Sequence, residues 1–215
     1  MGETIHYQDE IRPEDLFHKK DDIVILQNVS SNECLRVEET EVFVEGGKYT
    51  KGFYVDIPCA NGSFRLVENR PDIFHPIFAN IHASGAEIEL IRCGPWGQAW
   101  ISGKFNNRTK INRLLVEGNV KRCSLVDINL LNILERGYVV LEKDTSVKTI
   151  NVFGGGMLIV NDSSVRFESL ILHPGGIVKI KEDEMHIHLD IMTEKRVYLQ
   201  AQTTIGFDKY TIFYG

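Results

Sequence analysis

A glycine recurs about every 20 residues through the second half of the chain, with apolar pairs at fixed offsets on either side. No other feature restricts the fold so narrowly. The anchors are Gly97, Gly118, Gly137, Gly156 and Gly176, with Lys195 in the equivalent place, at intervals of 21, 19, 19, 20 and 19 residues. Four residues before each anchor stand Cys93, Leu114, Ile133, Val152, Leu172 and Ile191; six before stand Ile91, Asn112, Leu131, Ile150, Leu170 and Leu189. Two after come Ala99, Val120, Val139, Leu158, Val178 and Val197; four after come Ile101, Arg122, Leu141, Val160, Ile180 and Leu199. Of these 24 positions only Asn112 and Arg122 are not apolar, where the chain-wide hydrophobic share of 43% would fill about 10. A third column, Ile128, Val147, Val165, Met185 and Ile205, follows nine or ten residues after the anchors.

A spacing of two within each pair is strand periodicity, and a glycine between pairs suits a tight corner, because it reaches positive φ without a Cβ clash. Each repeat therefore reads as strand, corner, strand, polar turn and strand, the turn being Asp144-Thr-Ser, Asp162-Ser-Ser or Glu182-Asp-Glu. The predicted fold is all-β: a single-stranded parallel β-solenoid of about six coils of 19–21 residues over 91–215. The L-x-x-L-x-L signature and six-residue rhythm of competing repeat folds are absent. Asn112 and Arg122 share one coil, which marks that coil as irregular.

The remaining chain divides at about residue 20. Residues 1–20 form a charged N-terminal arm, with Pro13 placed to open one helical turn. Residues 21–90 carry short β-like runs (IVIL, CLRV, EVFVE, GFYVDI, FRLV) without the period, and read either as a β-rich cap or as irregular coils. The aromatic C-terminal residues from Ile205 onward read as a closing lid or a docking surface, since an open solenoid end is a bare strand edge.

A formal charge of −6 over 215 residues offers no global attraction to nucleic acid. A start without a basic-then-apolar run, and no stretch near 20 apolar residues, give the expectation of a soluble cytoplasmic chain with no membrane insertion; association with a virion or cell surface fits as well. The four cysteines lack C-x-x-C spacing and read as free thiols.

Chemistry-bearing motifs are few. There is no dinucleotide fingerprint, P-loop or nucleophile elbow, and no cofactor is called for. In Glu184–Asp190, alternation puts His186 and His188 on one face between carboxylates, an arrangement able to hold a divalent metal and equally that of a solvated polar face. Arg92 and Arg113 fall five residues before successive anchors, and Trp100 and Lys121 three after. Lys104, Arg108 and Lys110 crowd the turn between, and Arg122 lies beside them. Together these eight residues form an expected basic patch with one aromatic, suited to a phosphate, a sugar acid or an acidic protein surface. Asp127, Glu135, Glu142 and Asp144 lack the paired spacing that glycoside hydrolysis needs.

The coils Ile150–Val165 and Leu170–Ile180 resemble the repeats of AIDA-type autotransporter adhesins, a likeness that extends over roughly residues 111–205. The resemblance implies the solenoid fold and a surface or phage-borne binding role; it carries no site residue. Two functions follow as expectations. One is a noncatalytic protein-interaction or assembly module whose partner is another protein or its own copy. The other is a carbohydrate-directed protein, binder or enzyme, meeting an acidic glycan at the basic-aromatic face.

Overall fold

The computed structural model describes residues 4–8, 23–37, 40–55, 77–180, 196–199, 203–207 and 211–214. They form β1 (Thr4–Tyr7), β2 (Ile23–Gln27), β3 (Leu35–Arg36), β4 (Thr40–Glu45), β5 (Lys48–Tyr49), β6 (Phe53–Val55), β7 (Ile77–Ser84), β8 (Glu87–Cys93), β9 (Gly97–Ser102) and β10 (Thr109–Val116). The chain continues through β11 (Asn119–Ser124), β12 (Val126–Ile133), β13 (Tyr138–Leu141), β14 (Ser146–Val152), β15 (Met157–Val160), β16 (Arg166–Leu172), β17 (Ile177–Ile180), β18 (Arg196–Leu199), β19 (Thr203–Phe207) and β20 (Thr211–Tyr214).

Successive strands alternate between two sheets. Sheet A stacks β1-β2-β4-β7-β9-β11-β13-β15-β17-β19-β20, and sheet B stacks β3-β6-β8-β10-β12-β14-β16-β18 with β5 beside β8. Among the described strands all pairings are parallel except β19 with β20, so the chain winds as the expected β-solenoid, in about seven turns. Strands between Ile23 and Val55 are rungs of these same two sheets. At the other end β20 pairs antiparallel with β19 in sheet A.

Each coil has two strands rather than three, because the strand after the polar turn runs straight into the one before the corner. The join is a bend in sheet B where two successive residues face outward, as at Asn112-Arg113, Asn129-Leu130 and Lys148-Thr149. Inward side chains flank this bend. Ile88, Ile111, Ile128 and Val147 stack on its near side, and Phe167, not Val165, continues that column.

Both apparent exceptions in the repeat disappear in the observed register. Ile91 pairs with Leu114 and Leu114 with Leu131, because the corner at Glu117-Gly118 has two residues where the next coil has four; Asn112 is an outward residue of the bend. Arg122 lies beside a β-bulge: Lys121 is the extra residue relative to β9, and Cys123 takes the inward place between Ile101 and Leu141. The last coil is shifted as well. Val197 and Leu199 pair in register with Leu170 and Leu172 in sheet B, and Ile205 with Val178 in sheet A, about eight residues further along the chain than the repeat predicts.

The anchor glycines are required for closeness rather than for positive φ. A Cβ at Gly137, Gly156 or Gly176 would lie 2.4, 2.8 or 2.7 Å from the carbonyl oxygen of Val116, Ile133 or Val152 in the coil before. That oxygen accepts the N–H of the first corner residue, Leu134, Phe153 or His173. The left-handed residue is the one before the anchor: Arg136, Gly155 or Gly175. The core is a single cluster of Val, Ile, Leu, Ala and Cys columns, and its buried threonines are satisfied, Thr145 Oγ1 donating to the Cys123 carbonyl at 2.9 Å.

Leu125 forms the one-residue corner between β11 and β12 at φ +59°, a conformation that costs a branched apolar residue about 1–2 kcal/mol. Asn28 and Asp144 occupy similar corners at φ 53° and 52°. Leu125→Asn is expected to stabilise the fold by up to about 1 kcal/mol, a rise of about 2–4 °C in Tm. A lowered melting temperature would count against the strain.

Candidate interaction surface

A strand with one face on the core should alternate apolar and polar residues; continuous apolar runs belong to strands covered on both faces. Three successive rungs of sheet A break the alternation: Tyr-Val-Val-Leu in β13, Met-Leu-Ile-Val in β15 and Ile-Val-Lys-Ile in β17. Val139, Leu141, Leu158, Val160 and Val178 point into the core. The intervening Tyr138, Val140, Met157, Ile159 and Ile177 stand on the outer face, where parallel pairing puts Met157 between Tyr138 and Ile177, and Val140 beside Ile159. Their own contact leaves Val140 only 9% exposed and the other four half-buried. Lys179 ends the patch on β17. The β11 bulge ends it on the other side, with Lys121 Nζ 5.3 Å from the centre of the Tyr138 ring. Beyond the bulge Phe78 and Trp100 meet edge to face at 6.5 Å on the same outer face.

This patch was missed by reading the sequence for inward columns and charges. Its signal was the failure of alternation in YVVL and MLIV.

The structure spreads the eight expected basic-patch residues over two sheets and a turn. Arg92 and Arg113 are out of register, since Arg92 pairs with Leu115 and Arg113 with Leu90 on sheet B. Trp100, Lys121 and Arg122 lie on sheet A. Most of the charges are met within the chain. Arg92 binds Glu117 at 2.8 Å and lies 5.0 Å over the Tyr54 ring, Arg113 binds Glu89 at 3.1 Å, Lys104 binds Glu45 at 3.6 Å and Arg122 binds Glu142 at 2.5 Å. Lys110 stands between Glu87 and Asp127 in the ladder of sheet B.

Arg108 is the most fully engaged. Its guanidinium donates to both Asp127 carboxylate oxygens at 2.7–2.9 Å and to the Val126 and Asp144 carbonyls at 3.0 and 2.8 Å. The Asp127 hydrogen bonds hold it more firmly protonated than a free arginine. It joins the turn after β9 to the next two coils, so Arg108→Ala should cost about 1.5–3 kcal/mol. A denaturant midpoint indistinguishable from wild type would refute the clamp.

Sheet B carries a groove of about 350 Å³ beside its bend, lined by Lys48, Tyr49, Glu89, Lys110, Asn112 and Asn129 among others. Asn129 donates to Asn112 and Asn112 to Glu89, at 3.0 and 2.8 Å. No group of three or more His, Cys, Asp or Glu able to hold a metal occurs among the described residues, and His186 and His188 lie outside them. Burial and the nearby Glu142 carboxylate push the Cys123 thiol up to about 12, so it stays protonated and unreactive in the folded chain. No helix among the described residues is long and apolar enough to cross a membrane. No family model, curated protein or solved structure matches the chain.

Proposed function

We propose that the protein is a noncatalytic interaction module that holds another protein against the outer face of sheet A. The carrying observation is the five-residue apolar patch from Tyr138 to Ile177, on a face that a freestanding solenoid would keep polar. A parallel sheet backed by a packed core is a rigid platform, so a partner meets it with little ordering of the solenoid itself. The charged side chains support the same reading: with Arg92, Arg108, Arg113 and Arg122 bound to carboxylates of their own chain, they are poorly placed to supply the main attraction for an outside ligand. The likeness to surface-exposed solenoid passengers fits this role.

Ile159→Lys tests the reading, because it places a charge in the centre of the patch without touching the core. Partners recovered from native extract by wild type should be lost by the variant at an unchanged melting temperature. An identical set of partners would overturn it. A carbohydrate reading is favoured by one separate feature, the sheet B groove with its Glu89–Asn112–Asn129 chain of hydrogen bonds. Saccharide binding that Asn112→Ala removes and Ile159→Lys leaves intact would favour the groove.

A further inference from the structure

We infer that the occupant of the apolar patch is a second copy of this chain, related by a two-fold axis that lies in the interface and runs parallel to the solenoid. The inference rests on the interaction reading above and names its partner. Rotation about such an axis keeps each rung at its own height, so β13, β15 and β17 face the same strands of the partner copy with their directions reversed. The start of each strand then opposes the end of its counterpart. Tyr138 comes over Val140 and Met157 over Ile159, long side chains against short ones, while Ile177 meets Lys179 at the margin of the contact.

The flanking charges select this axis. The corner leading into β13 carries exposed Glu135 and Arg136, and the turn leaving β13 carries exposed Lys143 and half-buried Asp144. None of the four makes an ion pair among the described residues. With Val139 on the axis, the same rotation that stacks the patch brings Glu135 of one copy over Lys143 of the other, twice by symmetry. An axis along the strands would instead set Glu135 and Arg136 over Pro174 and Gly175, where no counter-charge stands. A footprint of three to five rungs, at about 4.8 Å each, is at the small end of specific interfaces, below about 1,200 Å² in total, so a dissociation constant on the order of micromolar is expected.

Sedimentation velocity on the full chain, from about 1 to 300 µM, reads the result directly. Wild type is expected to pass from monomer to dimer across that range. Ile159→Lys is expected to remain a monomer at an unchanged melting temperature. Lys143→Glu should weaken the dimer about tenfold or more, and adding Glu135→Lys to it should restore the affinity, since the swapped charges again face each other across the axis. That rescue separates a contact between copies from damage within one chain. A wild type that stays monomeric at the highest concentration, or a dimer indifferent to Ile159→Lys, overturns the inference. If that monomer still takes a different protein through a face that Ile159→Lys disables, the self-association is wrong and the interaction reading stands. With no such partner both fall.

Discussion

Val152→Asp should abolish the cooperative melting of the wild-type chain. Val152 is fully buried in a sheet B column, between Ile133 of the coil before and Leu172 of the coil after. Ion pairs that could receive the new carboxylate lie on the outer faces, so it would be buried uncharged and unpaired, or the coil would open. Either outcome costs about 4 kcal/mol or more. That is a large part of the roughly 5–15 kcal/mol that holds a typical domain together. Because neighbouring coils stabilise each other, the damage should reach beyond one rung, and thermal unfolding by circular dichroism should show a lowered and broadened transition. An unchanged melting temperature would show that Val152 does not face the core.

The inward columns were legible because Val, Ile and Leu recur two apart around a glycine whose position is fixed by the carbonyl of the preceding coil. What sequence spacing could not reveal was where the count slips. A corner shortened by two residues at Glu117-Gly118 and one extra residue at Lys121 made Asn112 and Arg122 look like polar intruders in inward columns whose true occupants there are Leu114 and Cys123. The last coil was assigned on Val197 and Leu199, and an apolar pair two apart fits either sheet equally well. Lys195 in place of the anchor glycine was the available warning. Val55 in sheet B and Ile77 in sheet A are separated by 21 residues of sequence, an interval that interrupts the period near 20 ahead of the regular coils.

The candidate surface was half legible. Runs such as MLIV carry two facts, an inner face and an outer face, and reading for the core used only the first. The basic patch misled for a different reason. Arg108 and Asp127 are 19 residues apart, and Arg92 and Glu117 are 25 apart. Spacings that close to one coil put opposite charges side by side only when the register of that coil is known.

Gly52→Ala should rank next in cost. Gly52 sits at the sheet B bend between β5 and β6 with φ +82°, and a Cβ there would lie 1.8 Å from the Leu90 carbonyl oxygen and 2.7 Å from its nitrogen. Both atoms belong to the backbone of a paired strand, so neither can swing away. The left-handed strain and the displaced rung together should cost about 3 kcal/mol or more. Gly175→Ala is the matched comparison. Its φ of +78° imposes the same strain, while its Cβ would meet nothing closer than 3.4 Å, so about 1 kcal/mol is expected. Equal denaturant midpoints for the two variants would mean that the close approach of coils at Gly52 has no energetic weight.

The strictly parallel stacking has a consequence for biosynthesis. Strand order in space follows strand order in the chain, and through β18 and β19 each rung pairs only with the rung made just before it and the one made just after it. A nascent chain can therefore lay down its earliest coils as a finished template while later ones are still inside the ribosome, each new coil closing on a surface already in place. Growth of this kind runs in one direction, from the amino terminus outward.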